Sequence, residues 1–250
     1  MAGPQTCLNG VDVAVLAGGM GTRIRETLGD TPKLLAPIGE TPFLDFLLGR
    51  LQGFGARRVV LGLGHLGDKV VEYLESHPPE GMDIITVIEP ELLGTAGALR
   101  FLGPKIETDP VMVMNGDSFI GADFCQFLDA HRRSGAGASI LTAKVEDASA
   151  FGRLRLSPEN RVVEFMEKDE SMTGPGQINA GVYLFSAAML AEIGAMQGPS
   201  LERDVFQALE PGTLNAVPSD APFIDIGTAE DLARAESVLA PFMSSGEGPS

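Results

Sequence analysis

Short apolar runs alternate with more polar stretches through the first half of the chain. Four of these runs have the length of buried parallel strands: Val11–Leu16, Val59–Leu63, Ile84–Ile88 and Val111–Met114. Helices are predicted between them: Thr41–Leu48, with Thr41 as the N-cap, Asp68–Glu75 and Thr95–Leu102. Strands that alternate with helices indicate right-handed βαβ units. The predicted fold class is therefore α/β, with an open, mostly parallel, Rossmann-like sheet flanked by helices.

The pattern changes after about residue 138. Short strands separated by turn residues are predicted there: Ser139–Val145, Leu154–Leu156, Arg161–Phe165 and Gly181–Phe185. This spacing indicates an antiparallel insertion on the substrate side of the sheet. Helices are predicted after it, at Ser200–Leu209 and Thr228–Leu239. We expect one domain over residues 1–243, made of parts 11–137 and 138–240, and a disordered tail over 244–250.

The first predicted strand runs directly into the loop Gly18-Gly19-Met20-Gly21-Thr22-Arg23, and Lys33 follows ten residues later. Glycines allow backbone N–H groups to form a concavity that suits anions. Arg23 offers a planar fork for phosphate oxygens, and Lys33 a mobile positive charge. A tight strand-exit turn would explain one glycine but not three. The loop therefore predicts a polyphosphate site.

Two common phosphate-binding motifs do not fit this loop. The dinucleotide fingerprint needs a third glycine where the chain has Ile24. A Walker A loop needs Gly-Lys before Ser or Thr, which the chain lacks. The loop therefore belongs to a different class of phosphate site.

Composition limits the partners. The chain has 250 residues, 34 acidic against 18 basic, and a net charge of −16, which argues against nucleic acid and anionic membranes. We find no apolar stretch long enough to span a bilayer and no secretion signal. Cys7 and Cys125 give no disulfide framework or zinc spacing and are expected to be small buried hydrophobes. These features favour the cytoplasm. A homo-oligomer stays open.

Six short motifs, in order, carry a family resemblance. They are Leu16–Arg23 with Pro32-Lys33, Leu93–Gly97, Asn115-Gly116-Asp117, Glu167-Lys168, Asn179–Tyr183 and Phe223–Thr228. Together they resemble the sugar-phosphate nucleotidylyltransferases. Many members have a proline after Gly-Thr-Arg, whereas this chain reads Ile24-Arg25-Glu26. That variant is most similar to the D-glycero-D-manno-heptose 1-phosphate guanylyltransferases, with the mannose 1-phosphate guanylyltransferases as near neighbours.

The resemblance implies transfer of a nucleotidyl group from a nucleoside triphosphate, expected to be GTP, to a sugar 1-phosphate, expected to be the heptose. Pyrophosphate is the second product, and Mg²⁺ is the expected cofactor. The implied catalytic residues are Arg23, Lys33 and Lys168. The implied nucleotide-binding residues are Leu16, Ala17, Gly18, Gly19, Gly21, Thr22, Glu89, Gly94, Thr95 and Asn115. The implied sugar-binding residues are Gly152, Glu167, Lys168 and Asn179, and the metal ligands are Asp117 and Asp225.

Simpler interpretations remain open for several of these residues. Asp225 could cap the helix that begins near Thr228, and Glu89 could be a solvated loop residue. As a ligand, the Glu89 carboxylate would accept hydrogen bonds from guanine, whose N1–H and 2-amino edge other bases lack. Glu167-Lys168 could be a surface dipeptide. The whole chain could be a regulatory protein that binds nucleotide sugars without catalysis. A glycosyltransferase is disfavoured because Asp117-Ser118-Phe119 is no D-x-D motif.

Overall fold

The protein was analysed as a computed structural model that describes residues 6–149, 151–166 and 173–243. The strands, in chain order, are β1 Val13–Ala17, β2 Pro37–Ile38, β3 Thr41–Pro42, β4 Arg58–Leu63, β5 Asp83–Ile88, β6 Val111–Asn115, β7 Ser118–Ile120, β8 Ala138–Val145, β9 Arg153–Leu156, β10 Val162–Met166, β11 Gly176–Phe185, β12 Asn215–Ser219 and β13 Phe223–Asp225. The α-helices are α1 Arg25–Leu28, α2 Phe43–Gly53, α3 Gly67–Ser76, α4 Gly94–Leu102, α5 Phe124–Ser134, α6 Ala187–Ala195 and α7 Ala229–Met243.

Nine of these strands form one mixed sheet. Strands β5, β4, β1 and β6 lie side by side and parallel. The long strand β11 then pairs antiparallel with β6 and with β8, and β8 pairs parallel with β12. The antiparallel β9 and β10 extend the sheet from the first half of β11. This arrangement confirms the predicted class, a mostly parallel α/β sheet with an antiparallel insertion.

The two faces of the sheet are buried against different helices. Alternate residues of β1 point to opposite faces, so Val13 and Val15 join one apolar core while Ala14 and Leu16 join the other. The first core includes apolar side chains of α2, α3, α5 and α7. The second includes those of α4, α6 and a π-helical turn, Leu201–Phe206. Because both faces are covered, β1 is apolar at every position, as predicted for a buried parallel strand.

The sequence prediction missed several elements. Helices α5 and α6 and strand β12 were not predicted, and only Leu201–Phe206 of the predicted helix at 200–209 forms a helical turn. The prediction of Thr41 as an N-cap was wrong, because Thr41 and Pro42 pair with β2 and Pro42 is the N-cap of α2. The predicted tail at 244–250 lies outside the described residues. None of the helices in the described part of the chain combines the length and apolarity that a bilayer crossing needs.

The expectation for the two cysteines was wrong. Cys7 and Cys125 are joined by a disulfide across 118 positions of sequence. Cys7 lies in the segment before β1, where Leu8 N–H donates to the carbonyl oxygen of Phe54. Cys125 lies in the first turn of α5, which Asp123 caps. The bond therefore ties the N-terminal segment to a helix of the first core. It also weakens the argument for a reducing compartment that rested on cysteine usage.

Loss of this disulfide is expected to lower stability. Replacing both Cys7 and Cys125 by serine should reduce the free energy of unfolding by about 2–4 kcal/mol, because an open chain gains conformational entropy when it unfolds. Urea unfolding of the double variant, with and without a thiol reductant, measures the effect. The wild type should lose stability in reductant and the variant should not. Equal midpoints for oxidised wild type and variant would show that the bond contributes nothing.

Candidate active site

A two-stranded ribbon brings the two predicted metal ligands together. Strands β7 and β13 pair antiparallel, with Asp225 opposite Ser118. The backbone N–H of Ile226 donates to the carbonyl oxygen of Asp117 at 2.9 Å. Asp117 and Asp225 therefore lie on adjacent chain segments just beyond the carboxyl end of β6. Ligands of open α/β sheets bind at this edge.

Lys33 neutralises part of this acidic pair. Its ammonium Nζ lies 2.8 Å from Asp117 Oδ2 and 4.0 Å from Asp225 Oδ1. Pro32 precedes a single 3₁₀ turn, Lys33–Leu35, in which Leu34 is buried. The buried leucine fixes the turn, and the turn directs Lys33 toward the carboxylates.

Asp225 is the more constrained of the two carboxylates. Burial and the nearby Asp117 charge raise the pKa of Asp225 to about 6, and Lys33 and Arg23 only partly oppose this. Its Oδ1 atom is buried and has no hydrogen-bond partner. Helix capping does not explain it, because Thr228 caps α7 by a reciprocal pair of hydrogen bonds with Asp231. The position therefore favours an additional cation.

Arg23 reaches the same place from the glycine-rich loop. A methyl group added to Gly227 would lie 3.0 Å from a terminal guanidinium nitrogen of Arg23 and 3.4 Å from Asp225 Oδ1. Glycine at 227 thus leaves room for the guanidinium beside the carboxylate. Gly21 in the loop has a φ of +58°, which favours glycine. The loop can bend there and bring Arg23 back across the site.

A cleft opens beside the glycine-rich loop, Lys33 and Asp117. Among the residues that line it are Gly19, Gly21, Lys33, His65 and Asp117. His65 follows the carboxyl end of β4 and was not among the predicted site residues. Its position at a strand end was the signal that could have identified it. Lys33, the backbone of the glycine-rich loop and the Asp117 carboxylate all face this cleft.

Glu89 is not a solvated loop residue. It follows β5, is 6% exposed, and its backbone N–H donates to Leu63 O. Burial raises the pKa of the Glu89 carboxyl above its ordinary value, and a hydrogen bond from Leu93 N–H to Oε2 partly opposes this. The other oxygen, Oε1, is buried without a partner. A methyl group on Gly18 would overlap this carboxylate, so Glu89 lies directly beneath the glycine-rich loop.

Unpartnered oxygens converge on the carboxyl edge of the sheet. Asn115, the last residue of β6, also has a buried Oδ1 with no hydrogen-bond partner. The other two are Oε1 of Glu89 and Oδ1 of Asp225. Buried polar atoms are normally hydrogen-bonded, so unpaired ones need an explanation. Unpaired acceptors at the ends of β5, β6 and β13 indicate a polar ligand and a cation.

Thr95 and Asn179 are half-buried, and their side chains hydrogen-bond to protein groups. The Thr95 hydroxyl accepts from Leu201 N–H at 2.8 Å and donates to Glu202 Oε2 at 3.4 Å. Asn179 Nδ2 donates to Tyr183 Oη and to Glu202 Oε1, and Asn179 Oδ1 accepts from Gly181 N–H. Gly94 has a φ of +70° and packs so tightly against Pro199 that a methyl group would overlap it. Glu202, which sequence reasoning missed, links both predicted subsites.

Some of the remaining predicted site residues lie within the described ranges and two lie outside them. Gly152 lies beside Met166, the last residue of β10, whose carbonyl oxygen would be 3.2 Å from a methyl group on Gly152. Glu167 and Lys168 come next in the chain but lie outside the described residues. Leu16 and Ala17 end β1, and Thr22 is exposed in the glycine-rich loop. The structure therefore gives positions for all predicted site residues except Glu167 and Lys168.

A glycine-rich loop, an Arg–Lys pair and two carboxylates thus lie together at one edge of the sheet. The Nucleotidyl transferase family matches residues 13–240, and the chain belongs to that family.

Individual relatives agree with this assignment. The chain is 35% identical over 232 residues to a mannose-1-phosphate guanylyltransferase of Mycobacterium tuberculosis, covering 92% of this chain and 64% of that protein. It is 29% identical to a D-glycero-alpha-D-manno-heptose 1-phosphate guanylyltransferase of Aneurinibacillus thermoaerophilus, covering 93% of this chain and 100% of that protein. The chain thus spans less than two thirds of the mannose-1-phosphate relative.

Solved structures match the fold across most of its length. The crystal structure of HddC from Yersinia pseudotuberculosis superposes with a TM-score of 0.81 at 31% identity, covering 91% of this chain and 98% of that one. A second HddC structure, complexed with GMP-PN, gives a TM-score of 0.80.

Replacing Asp225 by asparagine should stabilise the metal-free protein. The native pKa of Asp225 is raised from 3.8 to about 6, so the ionised form destabilises the fold fully above pH 6 and not at all below 3.8. Asp225→Asn should therefore raise the free energy of unfolding by about 1–2 kcal/mol at pH 7.5, and by less at pH 5. Urea unfolding in EDTA measures this.

Asp117→Asn is the matched comparison. It removes the partner of the 2.8 Å ion pair with Lys33, so its gain should be smaller. A loss of stability in Asp225→Asn at pH 7.5 would contradict the proposed repulsion.

Proposed function

We propose that this protein is a sugar 1-phosphate guanylyltransferase. A phosphate oxygen of the sugar 1-phosphate attacks the α-phosphorus of GTP and forms a new P–O bond. The bond between the α-phosphorus and the oxygen that bridges to the β-phosphate breaks, and pyrophosphate leaves with that oxygen. The products are a GDP-sugar and pyrophosphate. The observation that carries the proposal is the meeting of the glycine-rich loop, Lys33 and the Asp117–Asp225 pair at the carboxyl edge of the sheet.

Phosphoryl transfer of this kind needs positioning and charge stabilisation rather than covalent catalysis. Backbone N–H groups of Gly18, Gly19 and Gly21 hold phosphate oxygens. Arg23 binds the β- and γ-phosphates that leave as pyrophosphate, and Lys33 stabilises charge at the reacting phosphates. Its ammonium lies beside the carboxylate pair at this edge of the sheet, 2.8 Å from Asp117 and 4.0 Å from Asp225.

Asp117 and Asp225 suit a divalent cation, and we infer Mg²⁺. The support is the unpartnered Asp225 Oδ1 next to a second carboxylate. Mg²⁺ binds through one or two carboxylates together with substrate phosphates, so these two residues suffice; the described residues contain no cluster of three or more His, Cys, Asp or Glu side chains that could hold a metal. When bound, the ion would neutralise negative charge on the phosphates.

Guanine recognition is assigned to Glu89. The Glu89 carboxylate, whose Oε1 is unpaired and whose Oε2 accepts a 3.3 Å hydrogen bond from Leu93 N–H, suits the N1–H and 2-amino donors of guanine. Adenine, cytosine and uracil do not present two adjacent donors in this form. Asn115, Leu16, Ala17, Thr22, Gly94 and Thr95 complete the proposed nucleotide site.

The sugar site is formed by Gly152, Glu167, Lys168 and Asn179. Lys168 binds the sugar phosphate and Glu167 a sugar hydroxyl, as the family resemblance implies. D-glycero-D-manno-heptose 1-phosphate is the proposed substrate, supported by the full-length match to a heptose relative. Mannose 1-phosphate is the second candidate, favoured by the higher identity to the mannose relative.

We further infer one domain over residues 1–243 and action in the cytoplasm, where nucleoside triphosphates are made. One family match over residues 13–240 supports the single domain. The Cys7–Cys125 disulfide speaks against a reducing compartment. Neither nucleic acid nor a membrane is an expected partner, and a homo-oligomer is a further hypothesis.

Pyrophosphate release tests the function directly. The protein with Mg²⁺ is assayed with GTP, ATP, UTP, CTP and dTTP, each against the manno-heptose and mannose 1-phosphates. Release with GTP alone supports the proposal, and the preferred sugar phosphate decides between the two substrates. Release with another nucleotide would reject guanine selectivity, and no release in any pair would reject the enzyme.

Arg23→Ala and Asp117→Ala are expected to fold normally and to lose at least about 100-fold in kcat, because each removes charge stabilisation from the reacting phosphates. Circular dichroism and initial rates check the two expectations. Arg25→Ala, which changes an exposed arginine two residues away, is the control and should lose far less. Near-wild-type rates in both variants would reject the proposed site.

Glu89→Gln should reduce kcat/KM for GTP by about 100-fold, because the amide can accept one guanine donor but turns its own N–H₂ toward the other. The ratio of GTP to ITP should also fall, since ITP lacks the 2-amino group. Glu91→Gln is the matched control, with an exposed side chain two residues along. An unchanged GTP-to-ITP ratio in Glu89→Gln would mean that the carboxylate does not recognise guanine.

A further inference from the structure

The Glu202 carboxylate accepts hydrogen bonds from residues of both the proposed nucleotide site and the proposed sugar site. Glu202 lies in the π-helical turn that follows Ser200. Its Oε1 accepts from Asn179 Nδ2 at 3.2 Å and from Tyr183 Oη at 3.1 Å. Its Oε2 accepts from Ser200 Oγ at 3.0 Å and from Thr95 Oγ1 at 3.4 Å. A carboxylate with four donors is held in one orientation.

The segment that carries Glu202 is fixed to the N-terminus of α4. Ala96 N–H donates to Pro199 O at 2.8 Å, and Leu201 N–H donates to Thr95 Oγ1 at 2.8 Å. Gly94 leaves no space for a side chain against Pro199. The position of Glu202 therefore follows the position of the first turn of α4, which belongs to the proposed nucleotide site.

On its other side, the Glu202 carboxylate contacts the proposed sugar site. Asn179 lies at a register shift of β11, where Gly181 has a φ of +71°. Asn179 Nδ2 has two hydrogens, and both are used by Tyr183 Oη and Glu202 Oε1. Burial, first, and then the Glu202 charge raise the pKa of Tyr183 well above its ordinary value, so the phenol stays a donor. The direction of the amide, and therefore of its free Oδ1 lone pair, is set by Glu202.

We propose that Glu202 is a positioning residue that couples the nucleotide and sugar subsites, by holding Thr95 in the first turn of α4 and the Asn179 amide on one carboxylate. This inference rests on the proposed function. Its consequence is reciprocal: a nucleotide that fixes the first turn of α4 improves the sugar site, and a bound sugar phosphate improves the nucleotide site.

Steady-state kinetics of Glu202→Gln test the coupling. Glutamine has a similar shape but places an N–H₂ group against donors, and the Asn179 amide cannot reverse its role without losing the Gly181 contact. We expect the KM for the sugar 1-phosphate to rise about tenfold, the KM for GTP to rise several-fold, and kcat to fall less than threefold. Glu192→Gln, an exposed carboxylate on α6, should leave both KM values unchanged.

A compensating pair separates positioning from a general structural role. In Asn179→Asp with Glu202→Gln, the donor and acceptor are exchanged and the total charge is kept. The double variant should reverse at least half of the increase in log KM for the sugar 1-phosphate that Glu202→Gln causes. Asn179→Asp alone should raise this KM above the wild-type value. Thermal unfolding of all variants is measured in parallel.

The outcomes are distinguishable. Wild-type KM values in Glu202→Gln would overturn the coupling. So would a double variant whose change in log KM equals the sum of the changes in the two single variants. A fall in kcat and stability with unchanged KM would also overturn it and leave Glu202 with a structural role. Failure of the wild type itself to release pyrophosphate with any substrate pair would instead overturn the proposed function.

Discussion

The site depends on two carboxylates held close together against their mutual repulsion. Strands β7 and β13 are three residues each, yet their pairing fixes Asp117 beside Asp225. Burial, first, and then the Asp117 charge raise the pKa of Asp225, and Lys33 offsets only part of this. A fold that maintains such a pair loses stability there, and cations can recover it. The acidic pair and the cations beside it, Lys33 and Arg23, therefore form a single electrostatic arrangement.

The same balance explains how a chain with a net charge of −16 can bind polyphosphate. Arg23 and Lys33 converge on the site, and Gly227 and Gly21 give Arg23 the space and the backbone freedom to do so. The unpartnered oxygens of Asp225 and Glu89 are left for a cation and for a base with donors. The distribution of charge across a few ångströms matters more here than the total charge.

Sequence reasoning predicted the parts of the structure that repeat a physical pattern. Parallel strands covered by helices are mostly apolar, so β1, β4, β5 and β6 could be identified, and the strand-end rule placed the glycine-rich loop and Asp117 at one edge. It could not predict the β7–β13 pairing, because three-residue strands carry too little periodicity. The Cys7–Cys125 bond joins positions 118 residues apart, which spacing alone cannot reveal.

Glu202 was missed for a related reason. In the sequence it is one of several charged residues in a segment predicted as a helix, and nothing local indicates that its partners come from α4 and β11.

Mn²⁺ binding to protein saturated with a non-hydrolysable GTP analogue is the sharpest test of the carboxylate pair. Electron paramagnetic resonance measures the Mn²⁺ affinity. Tight binding in the wild type, weakened at least tenfold by Asp225→Ala and by Asp117→Ala, is the predicted result. Unchanged Mn²⁺ affinity in Asp225→Ala would contradict the claim that this carboxylate pair is built to hold a cation.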